Sequence, residues 1–264
     1  MMKETFLIHA HVFYPELWDE LARCIGNFPS EARTIVVTVS AADTQLEARI
    51  KNDFPDARID LVENRGYDVG PFIDLLGRID LSAYTYIVKL HTKRDWSGWF
   101  NSSYTCGSRW REQLLNFCAS KKNFDRVLGI FRSRPEAGVV VDSSVIVTRG
   151  DFLEKESVKA EAEALLEDCG LTPAARAFVG GTMFIIRSEL LRPLAGRHTL
   201  QDFAPVRHHE VATLAHIYER ALGYLVTAQG FEITGFNHDP SLLRRLWFII
   251  IPTYRVLAFL RRLI

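Results

Sequence analysis

Short apolar, β-branched runs alternate with amphipathic segments along the N-terminal part of the chain. Residues 6–13, 34–40, 57–62 and 84–90 have the length and composition of buried strands. Leu17, Leu21 and Ile25 lie on one helical face after the first run, and Asp43 can cap a helix over residues 44–52. A further helix is predicted over residues 71–76, with Pro71 as its first residue. Strands that alternate with helices predict a parallel sheet with right-handed crossovers.

The rest of the chain continues this pattern after an aromatic, small-residue segment at residues 95–108, which is typical of a loop that folds over a site. Helices are predicted over residues 109–120, 124–133 and 153–169, strands over residues 138–141 and 183–186, and a last helix capped by Ser188. The fold class is therefore α/β, with one domain at residues 1–240 built on a mostly parallel central sheet flanked by helices. An amphipathic basic helix is predicted at residues 241–264.

Composition narrows the range of functions. With 264 residues and 48% hydrophobic content, the chain can bury a full core. Thirty-two basic residues balance 32 acidic ones, so no overall field attracts nucleic acid, which is not an expected partner. The cysteines are widely spaced and predict reduced thiols and no structural metal. The chain has no secretory signal pattern, and we expect a cytoplasmic protein.

Polar residues end two neighbouring predicted strands. Asn64, Gly66 and Asp68 follow the third strand, while Lys89 and Lys93 lie at the end of the fourth. Because the carboxyl ends of parallel strands meet at one edge, these side chains predict a ligand crevice, with phosphates near the lysines. Asn64 and Asp68 would bond a base or ribose, and Gly66 would allow close backbone approach. The alternative is a turn in which both polar side chains cap the next helix.

Several uncommon short motifs occur along most of the chain. In their sequence and their order they resemble the rhamnan synthesis protein F family of bacterial surface-polysaccharide assembly. The residues that carry the resemblance are His11-Val12-Phe13-Tyr14-Pro15, Leu17-Trp18, Asn64-Arg65-Gly66-Tyr67-Asp68-Val69-Gly70-Pro71-Phe72, Lys89-Leu90-His91-Thr92-Lys93, Trp110-Arg111, Gly180-Gly181-Thr182-Met183-Phe184, Thr213-Leu214-Ala215-His216 and Glu219-Arg220.

The resemblance implies a glycosyltransferase of the GT-A type, with a nucleotide-sugar donor and a glycan or lipid-linked acceptor. It adds His11, Tyr14 and Arg65 to the expected donor site. It adds Trp110 and Arg111 to the expected acceptor site.

Cationic side chains stand where GT-A enzymes usually carry an Asp-x-Asp that holds a divalent metal. Lys89, His91 and Lys93 alternate along a strand and so share one face, where they could stabilise a departing diphosphate. We therefore expect a metal-independent enzyme with no cofactor beyond the nucleotide-sugar co-substrate. The alternative is that Lys89 pairs with a nearby carboxylate while Lys93 lies in solvent.

Glu210 and His91 are the candidate catalytic residues. Glu210 would deprotonate the acceptor hydroxyl in an inverting transfer, and Asp202 competes for that role. Gly180, Gly181 and Thr182 suit a close approach of backbone to the acceptor or sugar, although a plain tight turn has the same composition. His216, within an apolar helix, is interpreted as a core histidine.

The C-terminal segment, residues 242–264, carries five arginines and no acidic residue around an apolar centre. This pattern predicts an interfacial membrane anchor, and the alternative is a helix buried against the domain or against a second subunit in a homodimer. The leading hypothesis for the function is transfer of a deoxyhexose to a growing glycan, with L-rhamnose as the first candidate for that sugar. Because Val211 and Ala212 stand where the family has an acidic residue and a glycine, a non-catalytic binding module is one alternative. A scaffold subunit of a polysaccharide complex is another.

Overall fold

The computed structural model describes residues 4–100, 103–105, 107–148, 156–206 and 212–237 of the chain. The helices within these ranges are α1 (Trp18–Gly26), α2 (Thr44–Asp53), α3 (Val69–Leu76), α4 (Arg109–Leu115), α5 (Lys121–Ser133), α6 (Glu156–Glu167) and α7 (Leu214–Ala228). Short 3-10 helices lie at Pro15–Leu17, Ser30–Ala32, Leu81–Ala83, Ser143–Val145, Ser188–Leu194 and Leu200–Asp202.

The strands are β1 (Phe6–Val12), β2 (Arg33–Val39), β3 (Arg58–Leu61), β4 (Tyr86–His91), β5 (Gly98–Phe100), β6 (Ser103–Thr105), β7 (Ala137–Val141), β8 (Ile146–Val147), β9 (Phe178–Val179), β10 (Phe184–Arg187) and β11 (Glu232–Gly235). In the described part of the chain, seven of them form one sheet in the order β11-β7-β10-β4-β1-β2-β3. The pairs β5-β6 and β8-β9 form separate two-stranded ribbons.

The central sheet is parallel except for β10, which runs antiparallel between β4 and β7. The predicted mostly parallel sheet flanked by helices is therefore confirmed. Because β10 runs in the opposite direction, its start lies beside the carboxyl ends of its neighbours β4 and β7. The residues that precede Phe184 thus lie at the edge where the polar strand ends meet.

Hydrophobic patterning explains how the N-terminal elements pack. All residues of β1 are buried, and Leu21 and Ile25 of α1 are buried with Trp18. The Trp18 indole N–H donates to Asp53 Oδ2 at the end of α2, at 2.8 Å. Asp43 caps α2 as predicted, since its Oδ1 accepts from the backbone N–H groups of Gln45 and Leu46.

Three elements differ from the sequence expectation. Ser188 does not cap a helix, because its hydroxyl donates to the Leu81 carbonyl and the following turn is 3-10. The expected long loop at residues 95–108 contains the β5-β6 ribbon. The helix expected over residues 109–120 ends at Leu115, and Ser120 then caps α5 by accepting from the Asn123 N–H.

The division at residues 240 and 241 stays a prediction, because the segment after Asn237 lies outside the described residues. Cys24, Cys118 and Cys169 are free thiols, as expected, and Cys106 lies outside the described ranges. Among the described residues, no helix combines the length and the apolar character needed to span a membrane.

Two helical glycines provide a matched test of packing. A Cβ at Gly223 in α7 would lie 2.3 Å from the Phe178 Cα and 2.4 Å from the Ala177 carbonyl oxygen, whereas a Cβ at Gly129 in α5 would meet nothing within 4 Å. Gly129→Ala should raise the free energy of unfolding by about 0.5–1 kcal/mol through helix propensity. Gly223→Ala should lower it by about 1–3 kcal/mol through overpacking against backbone. Urea unfolding of both variants checks this, and a stabilised Gly223→Ala would contradict the close packing of α7 on β9.

Candidate functional site

A buried ion pair joins the loop after β3 to the end of β4. The Lys89 side chain is fully buried, and its ammonium donates to Asp68 Oδ2, to the Thr182 carbonyl oxygen at 3.1 Å and to Thr182 Oγ1 at 2.9 Å. The Thr182 hydroxyl in turn donates to Asp68 Oδ2 at 2.6 Å. All three ammonium protons therefore have acceptors within the protein, and three separate chain segments meet at one carboxylate.

Charge keeps this pair ionic. Burial alone raises the pKa of Asp68, but His91, the Lys89 charge and the hydrogen bonds from Lys89 and Thr182 hold it well below its ordinary value. Burial lowers the pKa of Lys89, and the Asp68 carboxylate opposes that effect. A carboxylate with a depressed pKa next to an ammonium forms a charge-assisted hydrogen bond. Removing either partner would leave a buried charge without compensation and would destabilise the fold.

This geometry settles two of the alternatives left open by the sequence. Lys89 pairs with a carboxylate, and each of its three protons has an acceptor within the protein, so its assignment to the donor site stays a prediction. Asp68 stands at the N-cap of α3 without capping it, because its carboxylate is directed to Lys89 and Thr182. The lysine and the aspartate thus shape the crevice floor together.

His91 lies beside the pair on the same face of β4. Its Nε2 is 2.8 Å from the Gly181 carbonyl oxygen and 3.7 Å from Asp68 Oδ2, and its Nδ1 is 3.2 Å from the Thr92 carbonyl oxygen. Burial lowers the pKa of His91, which favours a neutral ring that donates its proton to the nearer carbonyl. The predicted catalytic role of His91 stays a prediction.

The turn before β10 is held in place by a hydrogen bond to a side chain of helix α7. Gly181 and Thr182 have φ of 76° and 52°, and a Cβ at Gly181 would lie 2.8 Å from Leu114. The Gly181 N–H donates to Glu219 Oε1 at 3.0 Å, and Arg220 holds the other Glu219 oxygen at 2.6 Å. Glu219 is a site residue that the sequence reasoning missed, although it lies in one of the motifs that carry the family resemblance.

Positive charge lies on the lip of the crevice, the segment of residues 92–94 that follows β4. Lys93 is half-buried and has no hydrogen-bond or ion-pair partner for its ammonium in the described part of the chain, and its charge lowers the pKa of both Lys89 and His91. The neighbouring Arg94 guanidinium lies 4.4 Å from the centre of the Tyr14 ring. The lip is held to β1, because Thr92 Oγ1 accepts from the Phe13 and Tyr14 N–H groups at 3.0 Å each.

An open groove of about 630 Å³ lies beside this lip, at the carboxyl ends of β1 and β2. Asn64 contributes to one wall, and its contact with a ligand stays a prediction. The remaining lining residues are Val12, Phe13, Pro15, Ser40, Ala41, Ala42, Asp43, Thr44, Gln45 and Leu46.

The loop after β3 is docked on the segment that precedes α7. Arg65 donates to the Phe203 carbonyl oxygen at 2.9 Å and pairs with Glu63, contacts that hold the loop, and its donor contact stays a prediction. The Gly66 N–H donates to the Ala204 carbonyl oxygen at 3.1 Å. With φ of 63° and a Cβ that would lie 2.5 Å from the Phe203 ring, position 66 requires glycine for this docking.

Two residues assigned to the acceptor site by resemblance make contacts within the fold. Trp110 is buried in the hydrophobic core. Arg111 is paired with Glu20 and Asp95, and it also donates to the Lys93 carbonyl oxygen at 3.1 Å. Through these contacts Arg111 connects the lip to α1, and the assignment of Trp110 and Arg111 to an acceptor site stays a prediction.

The residues considered for base catalysis have different surroundings. Asp202 is exposed and caps a 3-10 turn, accepting from the Thr199 N–H at 2.7 Å, while Glu210 lies outside the described residues. His216 is half-buried rather than a core residue, which corrects the expectation. Its Nδ1 is 2.8 Å from Thr213 Oγ1 at the start of α7, and its ring contacts Tyr67 at 5.9 Å between centroids.

The polar crevice at the carboxyl edge of a mostly parallel sheet is the position at which α/β proteins bind nucleotides and related ligands. Within the described ranges, no group of three or more His, Cys, Asp or Glu side chains is arranged to hold a metal ion. The chain belongs to the rhamnan synthesis protein F family, whose model matches residues 1–231.

Two curated relatives are the proteins called Uncharacterized protein WxcX from two strains of Xanthomonas campestris pv. campestris. They are 25% and 24% identical to this chain over 238 residues. The matched region covers 88% of this chain and 33% of each relative, so the chain spans about a third of the length of these curated relatives.

Among solved structures, S. aureus TarS residues 1–349 with UDP-GlcNAc is 12% identical, with a TM-score of 0.44, and the match covers 88% of this chain and 56% of that TarS fragment. The mannosyltransferase PcManGT from Pyrobaculum calidifontis, solved with GDP-Man and Mn²⁺, is 17% identical with a TM-score of 0.43, and the match covers 91% of this chain and 56% of the other. These values describe a distant similarity.

Removing one partner of the buried pair should be costly. Lys89→Met leaves the Asp68 carboxylate without its counter-charge and should lower the free energy of unfolding by about 3–5 kcal/mol. The double variant Asp68→Asn/Lys89→Met should recover much of that loss, because no buried charge remains. Lys122→Met, at an exposed lysine of α5, is the matched control and should be nearly neutral. Urea unfolding measures all three, and a Lys89→Met variant as stable as the control would contradict the pairing.

The pair should also produce a defined pH dependence. The folded-state pKa of Asp68 lies below the unfolded value of about 3.9. Its contribution to stability is therefore fully present above that value and is lost as the pH falls through the folded pKa. The destabilisation caused by Asp68→Asn should be constant between about pH 5 and 8 and should shrink below about pH 4. Unfolding of both proteins at several pH values tests this, and a penalty that grows in acid would contradict it.

Proposed function

We propose that this protein is a glycosyltransferase that moves a sugar from a nucleoside-diphosphate donor to a growing bacterial surface polysaccharide. The observation that carries the proposal is the groove of about 630 Å³ at the carboxyl edge of the sheet, whose wall includes Phe13, the residue that donates a hydrogen bond to Thr92 next to Lys93. A groove of this size accommodates a nucleoside, and an adjacent ammonium suits its phosphates. Membership of the rhamnan synthesis protein F family supports the same activity.

In the proposed complex, the nucleoside occupies the groove with Asn64 at its wall and the diphosphate extends to Lys93. Lys89 acts through Asp68 as a positioning residue, because its three protons are already bound inside the protein. The sugar then lies toward the turn at Gly181 and Thr182. In this arrangement the sugar lies over the Asp68–Lys89 pair, whose charges cancel. The diphosphate leaving group lies over Lys93, whose charge is not balanced by a carboxylate of the described residues.

The proposed chemistry is a single inverting displacement. The acceptor hydroxyl attacks the anomeric carbon on the face opposite the diphosphate, and a new C–O bond forms as the old one breaks. The bonding electron pair leaves with the diphosphate oxygen, where the Lys93 charge stabilises it. A carboxylate takes the acceptor proton, and Glu210 is the residue proposed for this step.

We propose that the transfer is independent of divalent metal. The residues at the end of β4 are a poor fit to such an ion, because this strand supplies Lys89, His91 and Lys93 rather than carboxylates. The nearest carboxylate, Asp68, is already engaged by an ammonium and a hydroxyl. Cationic side chains supply the positive charge that the leaving diphosphate needs.

The family name supports L-rhamnose as the first candidate sugar. A cytoplasmic location and peripheral membrane contact through residues 242–264, near a lipid-linked acceptor, remain part of the proposal. The alternatives for that segment, burial against the domain or a homodimer contact, also remain open. Comparing membrane association of the full chain with that of a chain ending near Pro240 distinguishes the anchor from those alternatives.

Donor binding tests the function directly. Calorimetry and thermal stabilisation with UDP-, GDP- and dTDP-sugars, in chelator and in Mn²⁺, should reveal one donor that binds equally well in both conditions. Lys93→Met should weaken its binding by about 10- to 100-fold, since a hydrogen bond to a charged group is lost. Lys122→Met provides the control for removing a lysine elsewhere.

Each other result has a definite meaning for the proposal. Binding that requires Mn²⁺ would overturn the metal-free mechanism. Donor binding without transfer to any glycan or lipid-linked acceptor would indicate a binding module. The absence of binding to every nucleotide sugar would indicate a scaffold subunit and would remove the transferase proposal.

A further inference from the structure

Polar side chains form a buried row across three neighbouring strands of the sheet. His9 and His11 of β1 lie opposite Lys89 and His91 of β4, and His11 also lies opposite Thr38 of β2. All five side chains are buried. Lys89 and His91 have been accounted for above, whereas His9 and Thr38 have no role in the proposed reaction.

The Thr38 hydroxyl connects the two histidines of β1. Its Oγ1 lies 3.0 Å from His9 Nε2 and 2.9 Å from His11 Nδ1. A hydroxyl has one proton, so it donates to one ring and accepts an N–H from the other. Burial, as the largest cause, lowers the pKa of His9 well below its ordinary value and that of His11 to about 4, so both rings are neutral at pH 7. Only two proton arrangements then satisfy both hydrogen bonds.

The other nitrogen of His9 distinguishes these two arrangements. His9 Nδ1 is buried without a hydrogen-bond partner in the described structure. If Thr38 donated to His9, that nitrogen would carry a proton in an apolar setting next to the Phe72 ring, which lies 5.6 Å away between centroids. If Thr38 donates to His11, only a lone pair is left unpaired. A buried N–H without an acceptor is the rarer defect in proteins, so the second arrangement is favoured.

That choice determines what His11 presents to the crevice. With Nδ1 accepting from Thr38, the His11 proton lies on Nε2, which has no partner among the described residues. His11 as a whole residue is 3% exposed, and its Nε2 is not among the fully buried atoms that lack a partner, so this nitrogen keeps some contact with solvent. The backbone carbonyl of His11 accepts from the Thr92 N–H at 3.0 Å, which joins the end of β1 to the segment that carries Lys93.

We propose that His9 and Thr38 act as a relay that holds His11 in the neutral form protonated on Nε2, and that this N–H donates to a diphosphate oxygen of the donor. The inference rests on the proposed function for its ligand. Asp68, the carboxylate near His11, is already engaged by Lys89 and Thr182, whereas phosphate oxygens are acceptors without a proton of their own. Lys93 supplies charge, and His11 supplies a directed hydrogen bond without adding charge.

The first test needs no ligand. Long-range ¹H–¹⁵N NMR of the full chain with labelled histidine, assigned by loss of the signal in His11→Gln, should show His11 as a neutral ring protonated on Nε2. In Thr38→Val the preference for that tautomer should be lost, and in Thr38→Ser it should return with the hydroxyl. A wild-type His11 protonated on Nδ1, or charged at pH 7, would overturn the relay whether or not nucleotides bind.

The second test concerns the phosphate contact. Thr38→Val should weaken binding of UDP, GDP or dTDP, whichever the wild type binds, by about three- to tenfold, the value of one neutral hydrogen bond. Binding of the matching nucleoside should not change, and Thr38→Ser should bind like the wild type. Equal affinity of Thr38→Val and wild type for the diphosphate would overturn the contact. The expected tautomer in a protein that binds no nucleotide would instead refute the proposed function and the phosphate contact, and would leave the relay in place.

Discussion

The buried contact between Asp68 and Lys89 is the constraint on which the rest of the crevice depends. Both groups lose hydration on folding, and that loss is large unless each charge finds its partner and the remaining hydrogen-bonding sites are filled. Thr182 fills them from a third segment, with its carbonyl and its hydroxyl. The loop after β3, the end of β4 and the turn before β10 must therefore be positioned together, because none of the three satisfies the charges without the others.

This arrangement also explains how charge is distributed around the crevice. The inner lysine is neutralised by its carboxylate, and Arg111 is neutralised by Glu20 and Asp95. Lys93 remains at the lip, on a segment that is held to β1 through Thr92. A chain with no net charge can in this way present a local positive site, because the ion pairs of its neighbours cancel internally.

Much of the fold could be predicted from the sequence, because strand and helix periodicities and the Asp43 cap are local signals. The same periodicity correctly put Lys89 and His91 on one face of β4. It could not identify what lies opposite that face, since Thr182 is distant in sequence and reaches Lys89 only through the antiparallel insertion of β10. The partners of Arg111 could not be predicted for a related reason, because an arginine next to a tryptophan in the sequence indicates neither where its side chain points nor which carboxylates it meets. The signals for the β1 relay were present as His9, His11 and Thr38 within apolar runs, where a polar residue needs a partner.

Thr182 shows where this protein departs from a locally optimal chain. A β-branched residue with φ of 52° occupies backbone space that suits glycine or asparagine, at a strain of about 1–3 kcal/mol. Its short hydroxyl nevertheless reaches both members of the ion pair, which neither substitute reproduces. An engineer who optimised this turn for thermostability alone would choose glycine and would dismantle the crevice floor in doing so. At position 182, therefore, the residue that would relieve backbone strain differs from the residue that holds the ion pair of the crevice.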